Sequence, residues 1–431
     1  MKTEITELTA LGTTRTIVSD KLTQLYEKRY QRVQRGTKSS LWLIANAREK
    51  ADLANEPNRK ITSKDADWVK PPRPANCGAP IGNLIDVHLA QNTGLGQTAY
   101  FKGVQRCGSV WACPRCSAAK RSKYAIELDA AYTAIMDSDD LNPGVFLTLT
   151  LRHSKDVPLK TSLSTLHGAF AKMRVQNGWR RLMDQLGKVA LVRSTEITYS
   201  DKNGWHPHLH IWLITNKPVS KAARANAEKE ISGWWQTAVA KYSGGAALVP
   251  NSKGCDLRLV NSRGIAAYVH KIQDDKEPGN KRRLSSELVR GDLKTARARS
   301  SIVPFELLDR PDGKKLWLEY VETTKGRRAL DWTKGFKKRL GITKPKPKSP
   351  KSGDGCGSPD TTRIFSIDGA NYSQNRTNPA WIAAVLASTE LSPITAANQY
   401  GISRTVPPKS PPRESGGVSS LKRDSGQPVP I

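Results

Sequence analysis

Three histidines, His206, His208 and His210, occupy alternate positions in the run Gly204 to Ile214, where Trp205, Leu209, Ile211 and Leu213 fall between and after them. Side chains alternate across a β-strand, so the three imidazoles share one face and the apolar set takes the other. At ~3.3 Å per residue, His208 and His210 lie about 6.6 Å apart along the backbone, a spacing from which two imidazoles can converge on one divalent ion. A solitary histidine is most simply a surface residue. Three of the chain's seven within five positions argue instead for a metal site on a sheet. The preceding run, Val189 to Tyr199, alternates in the same way, with Ser194, Glu196 and Thr198 on its polar face. Ser200-Asp201-Lys202-Asn203-Gly204 between the two runs has turn chemistry, which predicts a hairpin and brings Glu196 toward the histidines as a third ligand. Whether Glu196 lies opposite His208 or one place off depends on the loop register, which the sequence leaves open.

A second cluster is made of thiols. Cys107, Cys113 and Cys116 have the spacing Cys-x5-Cys-x2-Cys, and Cys113-Pro114-Arg115-Cys116 is a knuckle through which two thiolates reach one ion. With Cys77 as fourth ligand these residues predict a tetrahedral structural Zn2+ site. Disulfides are the competing reading, disfavoured in a reducing cytoplasm. Cys255 and Cys356 stand alone.

The elements that must position these groups follow from periodicity. Val145 to Leu151 alternates as a strand with Thr148 and Thr150 on one face. Leu163, Leu166, Phe170 and Met173, then Trp179, Leu182, Met183 and Leu186, have helical spacing interrupted near Gly178. After the hairpin, Ala223, Ala227, Ile231, Trp234, Trp235 and Ala238 mark another helix. Leu257 to Val260 reads as a short strand and Gly264 to Gln273 as a last helix. The order β-α-β-β-α-β-α predicts an α+β fold, an antiparallel sheet with helices packed on one face. The last helix carries Tyr268, with Lys271 three residues on and on the same helical face. A phenol titrates near 10, so Tyr268 can act as a nucleophile only beside a cation or metal, and Lys271 helps supply that charge.

Composition says what such groups would act on. The chain has 431 residues, 69 Lys+Arg against 39 Asp+Glu and a formal charge of +30, so attraction to a polyanion is built in. Nucleic acid is the expected partner. Met1 to Asp20 lacks the apolar core of a secretory signal, and no run approaches the ~18 apolar residues of a membrane span. A soluble cytoplasmic protein with no membrane partner is expected. The chain divides into a basic segment at 1–70, a four-cysteine zinc module at 71–125, the sheet domain at 126–342 and a Pro/Ser-rich disordered tail at 343–431 that opens on Lys344-Pro345-Lys346-Pro347. The basic run Lys28 to Arg35 reads as a helix that either faces solvent or touches DNA. Trp381 to Leu386 is the tail's apolar patch, read as a short helix that docks on a partner or on the body.

Three motifs in order, Phe146-Leu147-Thr148-Leu149-Thr150, His206-Pro207-His208-Leu209-His210 and Tyr268-Val269-His270-Lys271, resemble those of plasmid rolling-circle replication initiators, the Rep proteins of the HUH endonuclease superfamily. The cysteine segment, Pro304 to Leu308 and Gly326 to Trp332 resemble the bacterial branch of these proteins, so the likeness runs over roughly residues 77–341. It implies a ferredoxin/RRM-like HUH nicking-joining domain in which His208 and His210 bind Mg2+ or Mn2+ and Tyr268 attacks a DNA phosphate at the plasmid origin. The protein would stay on the 5′ end while the free 3′ hydroxyl primes synthesis. Glu196 and His206 join the metal set, His206 as a ligand or a substrate contact. Thr148, Thr150, Arg282 and Arg283 are the DNA-contacting candidates. Double- and single-stranded origin DNA, a host helicase and a polymerase are the implied partners, with the oligomeric state open.

One departure stands out. Some of these initiators carry a glutamate four residues before the tyrosine and others a second tyrosine; this chain has Gly264, which leaves Asp274, Asp275 and Glu287 as substitutes for a terminating residue. The rival readings are an HUH transposase with a zinc module and a nonenzymatic zinc-containing DNA-binding regulator.

Overall fold

The computed structural model describes residues 6–8, 14–16, 20–54, 71–92, 96–260, 301–342 and 361–402. A small hairpin of β1 (Thr6–Leu8) and β2 (Thr14–Thr16) precedes the long helix α1 (Asp20–Ala54). Strands β3 (Leu84–Asn92) and β4 (Gly96–Lys102) pair next, and α2 (Pro114–Met136) leads into the main sheet. That sheet is built from β5 (Asn142–Thr150), β6 (Lys188–Ser200), β7 (Gly204–Thr215), β8 (Cys255–Leu259) and β9 (Leu330–Trp332) in the order β8, β5, β7, β6, β9, all antiparallel. Helices α3 (Leu159–Arg174) and α4 (Asn177–Gln185) connect β5 to β6, and α5 (Lys221–Ser243) connects β7 to β8. The first four strands therefore follow the split β-α-β path of a ferredoxin-like sheet, with β7 between the two strands that α3 and α4 join.

Period-two sequences make one face of this sheet a core. Leu147, Leu149, Leu191, Ile197, Leu209, Ile211 and Leu213 are buried there against Leu163, Leu166, Phe170 and Met173 of α3 and Ile231 and Trp235 of α5. The break between α3 and α4 falls at Val175 and Gln176, two residues before the expected Gly178. Gly178 is small for another reason: a Cβ there would meet the Trp234 ring at 2.8 Å. The same face is completed by α6 (Lys314–Thr324), whose Glu319 accepts from Leu159 N at the start of α3 and from Trp205 Nε1.

The opposite face departs from the expectation of helices on one side only. Ala190, Val192, Trp212 and Ile214 point to it and are buried under Leu128, Ala131, Tyr132 and Ile135 of α2 and Phe336 of the short α7 (Phe336–Arg339). Trp212 and Ile214 have the same strand parity as the histidines, so half of the histidine face is core. The run Ile211 to Ile214 is apolar at every position because it is covered on both sides.

A larger correction concerns the tail. Residues 343–360 and 403–431 lie outside the described residues, but 361–402 form β10 (Thr361–Asp368), α8 (Gly369–Asn375), α9 (Pro379–Leu391) and α10 (Pro393–Tyr400). Strand β10 pairs with β3, giving a second sheet in the order β10, β3, β4. Ile85, Val87, Phe101, Phe365, Ile367, Ile382 and Val385 form its core together with Val33 of α1. The Trp381 to Leu386 patch is thus a helix docked on the body. The basic run of α1 is partly engaged within the molecule: Arg29 binds Glu390 of α9 through two bonds of 2.7 and 2.5 Å, and Arg35 binds Asp309. Glu390 also accepts from Ala99 N and is almost wholly buried.

Truncation after Ile342 is therefore expected to be costly rather than neutral. It removes β10 from the middle strand β3, uncovers Val33, Ile85, Val87 and Phe101 at about 1.5–3 kcal/mol for each large side chain, and leaves Arg29 without its buried partner. Thermal unfolding of the truncated protein should show a lost or strongly lowered transition, and an unchanged profile would restore the reading of a disordered tail.

Candidate functional site

The hairpin β6–β7 turns through Asp201, Lys202 and Asn203, with Ser200 paired to Gly204. Gly204 has φ +74°, and the three-residue loop that ends on this left-handed glycine fixes the register the sequence left open. Glu196 lies directly opposite His208. On the other side of β7, Thr150 pairs with His208 and Thr148 with His210, while Ser194 pairs with His210 across β6. Two rows result on the half of the face that α2 leaves open, Thr150-His208-Glu196 and Thr148-His210-Ser194.

Hydrogen bonds hold the second row. Glu196 Oε2 is 2.7 Å from His210 Nε2 and Thr148 Oγ1 is 3.3 Å from its Nδ1. An ionised carboxylate only accepts, so Nε2 donates to Glu196, and in the neutral ring Nδ1 then accepts from the Thr148 hydroxyl. Phe146 stacks on the His210 ring at a centroid distance of 5.7 Å, and the His208 and His210 centroids are 6.3 Å apart. The hydroxyl of Ser194, beside His210, is buried and has no hydrogen-bond partner among the described residues. Two imidazoles and a carboxylate are a donor set that suits a divalent ion with positions left open, and a polar atom in need of a partner fits a wet or ligated site. As they stand, the three do not converge. Among the described residues, only the four cysteines bring three or more His, Cys, Asp or Glu ligand atoms to one place.

His206 is set apart from the other two. Its Nε2 is 3.4 Å from Ser200 Oγ, and its ring stacks on His153 at a centroid distance of 3.5 Å. Burial, with a smaller contribution from His153, pushes the His206 imidazole down to about 4, so it is neutral at pH 7. His153 was missed by sequence reasoning. Its available signal was its place three residues beyond Thr150, on the chain leaving the strand next to β7.

The cysteines meet as expected. The Sγ atoms of Cys77, Cys107, Cys113 and Cys116 lie within 4.8 Å of one another, with Cys77 and Cys116 at 3.5 Å. A tetrahedral zinc with Zn–S bonds of about 2.3 Å has sulfur–sulfur edges of roughly 3.8 Å, so the set fits that ion. Cys113 is the N-cap of α2 and its sulfur accepts from Cys116 N, while hydrogen bonds with Cys107, Cys116 and Cys77, and then burial, hold the Cys113 thiol well above its ordinary range. Hydrogen bonds from Cys107, Cys113 and Cys116 hold the Cys77 thiol far below its ordinary range, and bonds from Cys107 and Cys113 bring Cys116 down to about 7. Trp111, between the cysteines, donates from Nε1 to Arg327 O and packs edge-on to Tyr320, tying the cluster to the main core. Changing Cys113→Ser together with Cys116→Ser should release about one zinc per chain and lower the thermal midpoint by roughly 5–10 °C. Full zinc content by elemental analysis of that variant would remove the assignment.

Tyr268, Lys271, Arg282, Arg283, Gly264, Asp274, Asp275 and Glu287 lie outside the described residues. Strand β8 ends at Leu259, opposite Val145 of β5, at the edge of the sheet. No helix among the described residues is long and apolar enough to cross a membrane.

The fold and site define a protein with a ferredoxin-like antiparallel sheet, an open half-face bearing two histidines and a carboxylate, and a four-cysteine cluster braced against it. Comparison with known proteins is consistent with this. Residues 101–240 match the replication-protein family Rep_1. The chain is similar to the protein rep of Streptomyces lividans, at 28% identity over 308 residues, which is 57% of this chain and 66% of that protein. It is also similar to a neomycin resistance protein of Streptomyces cyanogenus, 23% identical over 30% of this chain and 34% of that protein. A protein rep of Streptococcus pneumoniae serotype 2 is 22% identical over 29% of this chain and 38% of its own length. The aligned stretches span just under two thirds of the first of these and little more than a third of the others. No solved structure matches. By these likenesses the chain is similar to Rep replication proteins.

Proposed function

We propose that this protein is a plasmid replication initiator of the Rep type that binds its origin, nicks one strand and remains on the 5′ end through Tyr268. The reading rests above all on the register that sets Glu196, His208 and Thr150 in one row and His210, Thr148 and Ser194 in the next, on a face otherwise closed by α2. His208, His210 and Glu196 would hold Mg2+ or Mn2+, which when bound polarises the scissile phosphate and stabilises charge in an in-line displacement. The strands supply rigidity: His208 and His210 are fixed by backbone pairing to β5 and β6 on both sides and Glu196 by pairing to β7, so little ordering is left for the reactive complex. Thr148 and Thr150 offer hydroxyls to the phosphate chain beside the histidines. The Tyr268 phenolate, its negative form favoured by Lys271, forms the Oη–P bond as the bond from phosphorus to the 3′ oxygen breaks and that oxygen takes up a proton. The phosphodiester energy is kept in the phosphotyrosine, so rejoining needs no nucleotide cofactor. The four-cysteine cluster, with Zn2+, braces the sheet through Trp111.

The test is incubation of the full chain with supercoiled plasmid carrying its own replication origin and Mn2+. Open circles with protein attached at a unique 5′ end are expected. Binding without any nick would favour a regulator, and nicking confined to mobile-element ends would favour a transposase.

A further inference from the structure

A group of cations lies on the helix side of the sheet, away from the histidine face. The guanidinium carbons of Arg174, at the end of α3, and Arg193, on β6, lie 5.5 and 5.9 Å from the centre of the same buried Phe170 ring. Burial holds the ammonium of Lys188, at the start of β6, below its ordinary range, and repulsion from the nearby Arg174 adds to that. Arg174 is lowered by burial and by Arg193. Arg327 is the next cation along, and it and Arg193, after burial, push His167 down to about 4, leaving that imidazole neutral beside Thr195. Two carboxylates face the group: Asp331, which binds Arg193 at 2.6 Å, and Asp184 near Lys188.

We infer that Arg174, Lys188, Arg193 and Arg327 form a phosphate-binding surface that holds duplex DNA flanking the nicked strand. It rests on the reading of this protein as an origin-binding initiator. Collecting four like charges around two carboxylates raises their mutual repulsion, and a polyanion is the partner that relieves it. Two arginines held over one aromatic ring are pre-ordered for bidentate contact with phosphate oxygens. Placement selects the duplex over the single strand. Arg193 pairs with Ile211 and points to the core side, so a strand lying across His208 and His210 does not pass this group, whereas a duplex running along the β6–β9 side of the sheet does.

The test compares the wild-type chain with Arg174→Gln combined with Lys188→Gln, neither of them in the metal or tyrosine set, on an origin duplex and on a single strand carrying the nick site. Removing two phosphate contacts should flatten the slope of log K against log salt on the duplex by about 1.8. Duplex affinity at about 0.1 M salt should fall tenfold or more while single-strand affinity changes less than twofold, and Arg174→Lys with Lys188→Arg should restore most of the loss. An unchanged duplex slope, or an equal loss on the single strand, overturns the inference and leaves the initiator reading standing. Failure of the wild type to bind origin duplex at all overturns both.

Discussion

Tyr268→Phe is expected to lower nicking and covalent attachment by a factor of at least about 10³ while leaving origin affinity within about twofold of wild type. The substitution removes one oxygen, the proposed attacking atom, and keeps the ring. Binding to duplex draws on a net charge of +30, which the change does not touch. The measurement is a supercoiled-plasmid nicking assay with denaturing gels for the protein-linked 5′ end, beside a binding titration on the same origin. Covalent product from the phenylalanine variant would move the nucleophile to another residue.

The second large effect belongs to the histidine rows. His208→Ala and His210→Ala should each reduce Mn2+-dependent cleavage by about 10² or more, since one remaining imidazole with Glu196 holds a divalent ion poorly. His206→Ala should cost far less, because its ring is turned to Ser200 and His153 rather than toward the Glu196–His210 pair. The check is a Mn2+ titration of cleavage for all three variants. Superimposable curves for wild type, His208→Ala and His210→Ala would remove the metal assignment. Equal losses for all three would instead bring His206 into the ligand set.

Much of this arrangement was legible in the sequence, for reasons that can be named. Period-two alternation in 189–199 and 205–214 belongs to strands, the order of elements predicted an antiparallel sheet with helices packed on it, and the resemblance to Rep proteins implied the ferredoxin-like path. The cysteine spacing carried its own geometry. The register of Glu196 was not legible, because it depended on the left-handed turn residue Gly204 and on which residues closed the loop. The half-closed histidine face was missed even though Trp212 and Ile214 continue the histidine parity with apolar side chains, a sign that both sides of β7 are buried at that end. His153 sits on no repeating pattern and pairs with His206 only through the fold. The folded segment 361–402 was hidden by its flanks: Pro, Ser and Lys dominate the sequence around it, and its single short strand makes sense only beside β3.

The pairing of β10 with β3 also sets a schedule for synthesis. Strand β3 ends at Asn92 and β10 begins at Thr361, so about 270 residues must be translated after the middle strand of the second sheet before one of its two neighbours exists. At ~5–20 residues per second that is a wait of roughly 15–50 s, during which the main sheet, with strands between Asn142 and Trp332, has left the ribosome and can fold. Through that interval the β10 side of β3 is an unpaired edge beside Ile85 and Val87, open to another nascent chain from the same message. Polysomes making this protein therefore carry a risk of cross-pairing that lasts through the middle of translation, and a chaperone that shields an apolar strand edge would raise its yield more than one that aids the main sheet.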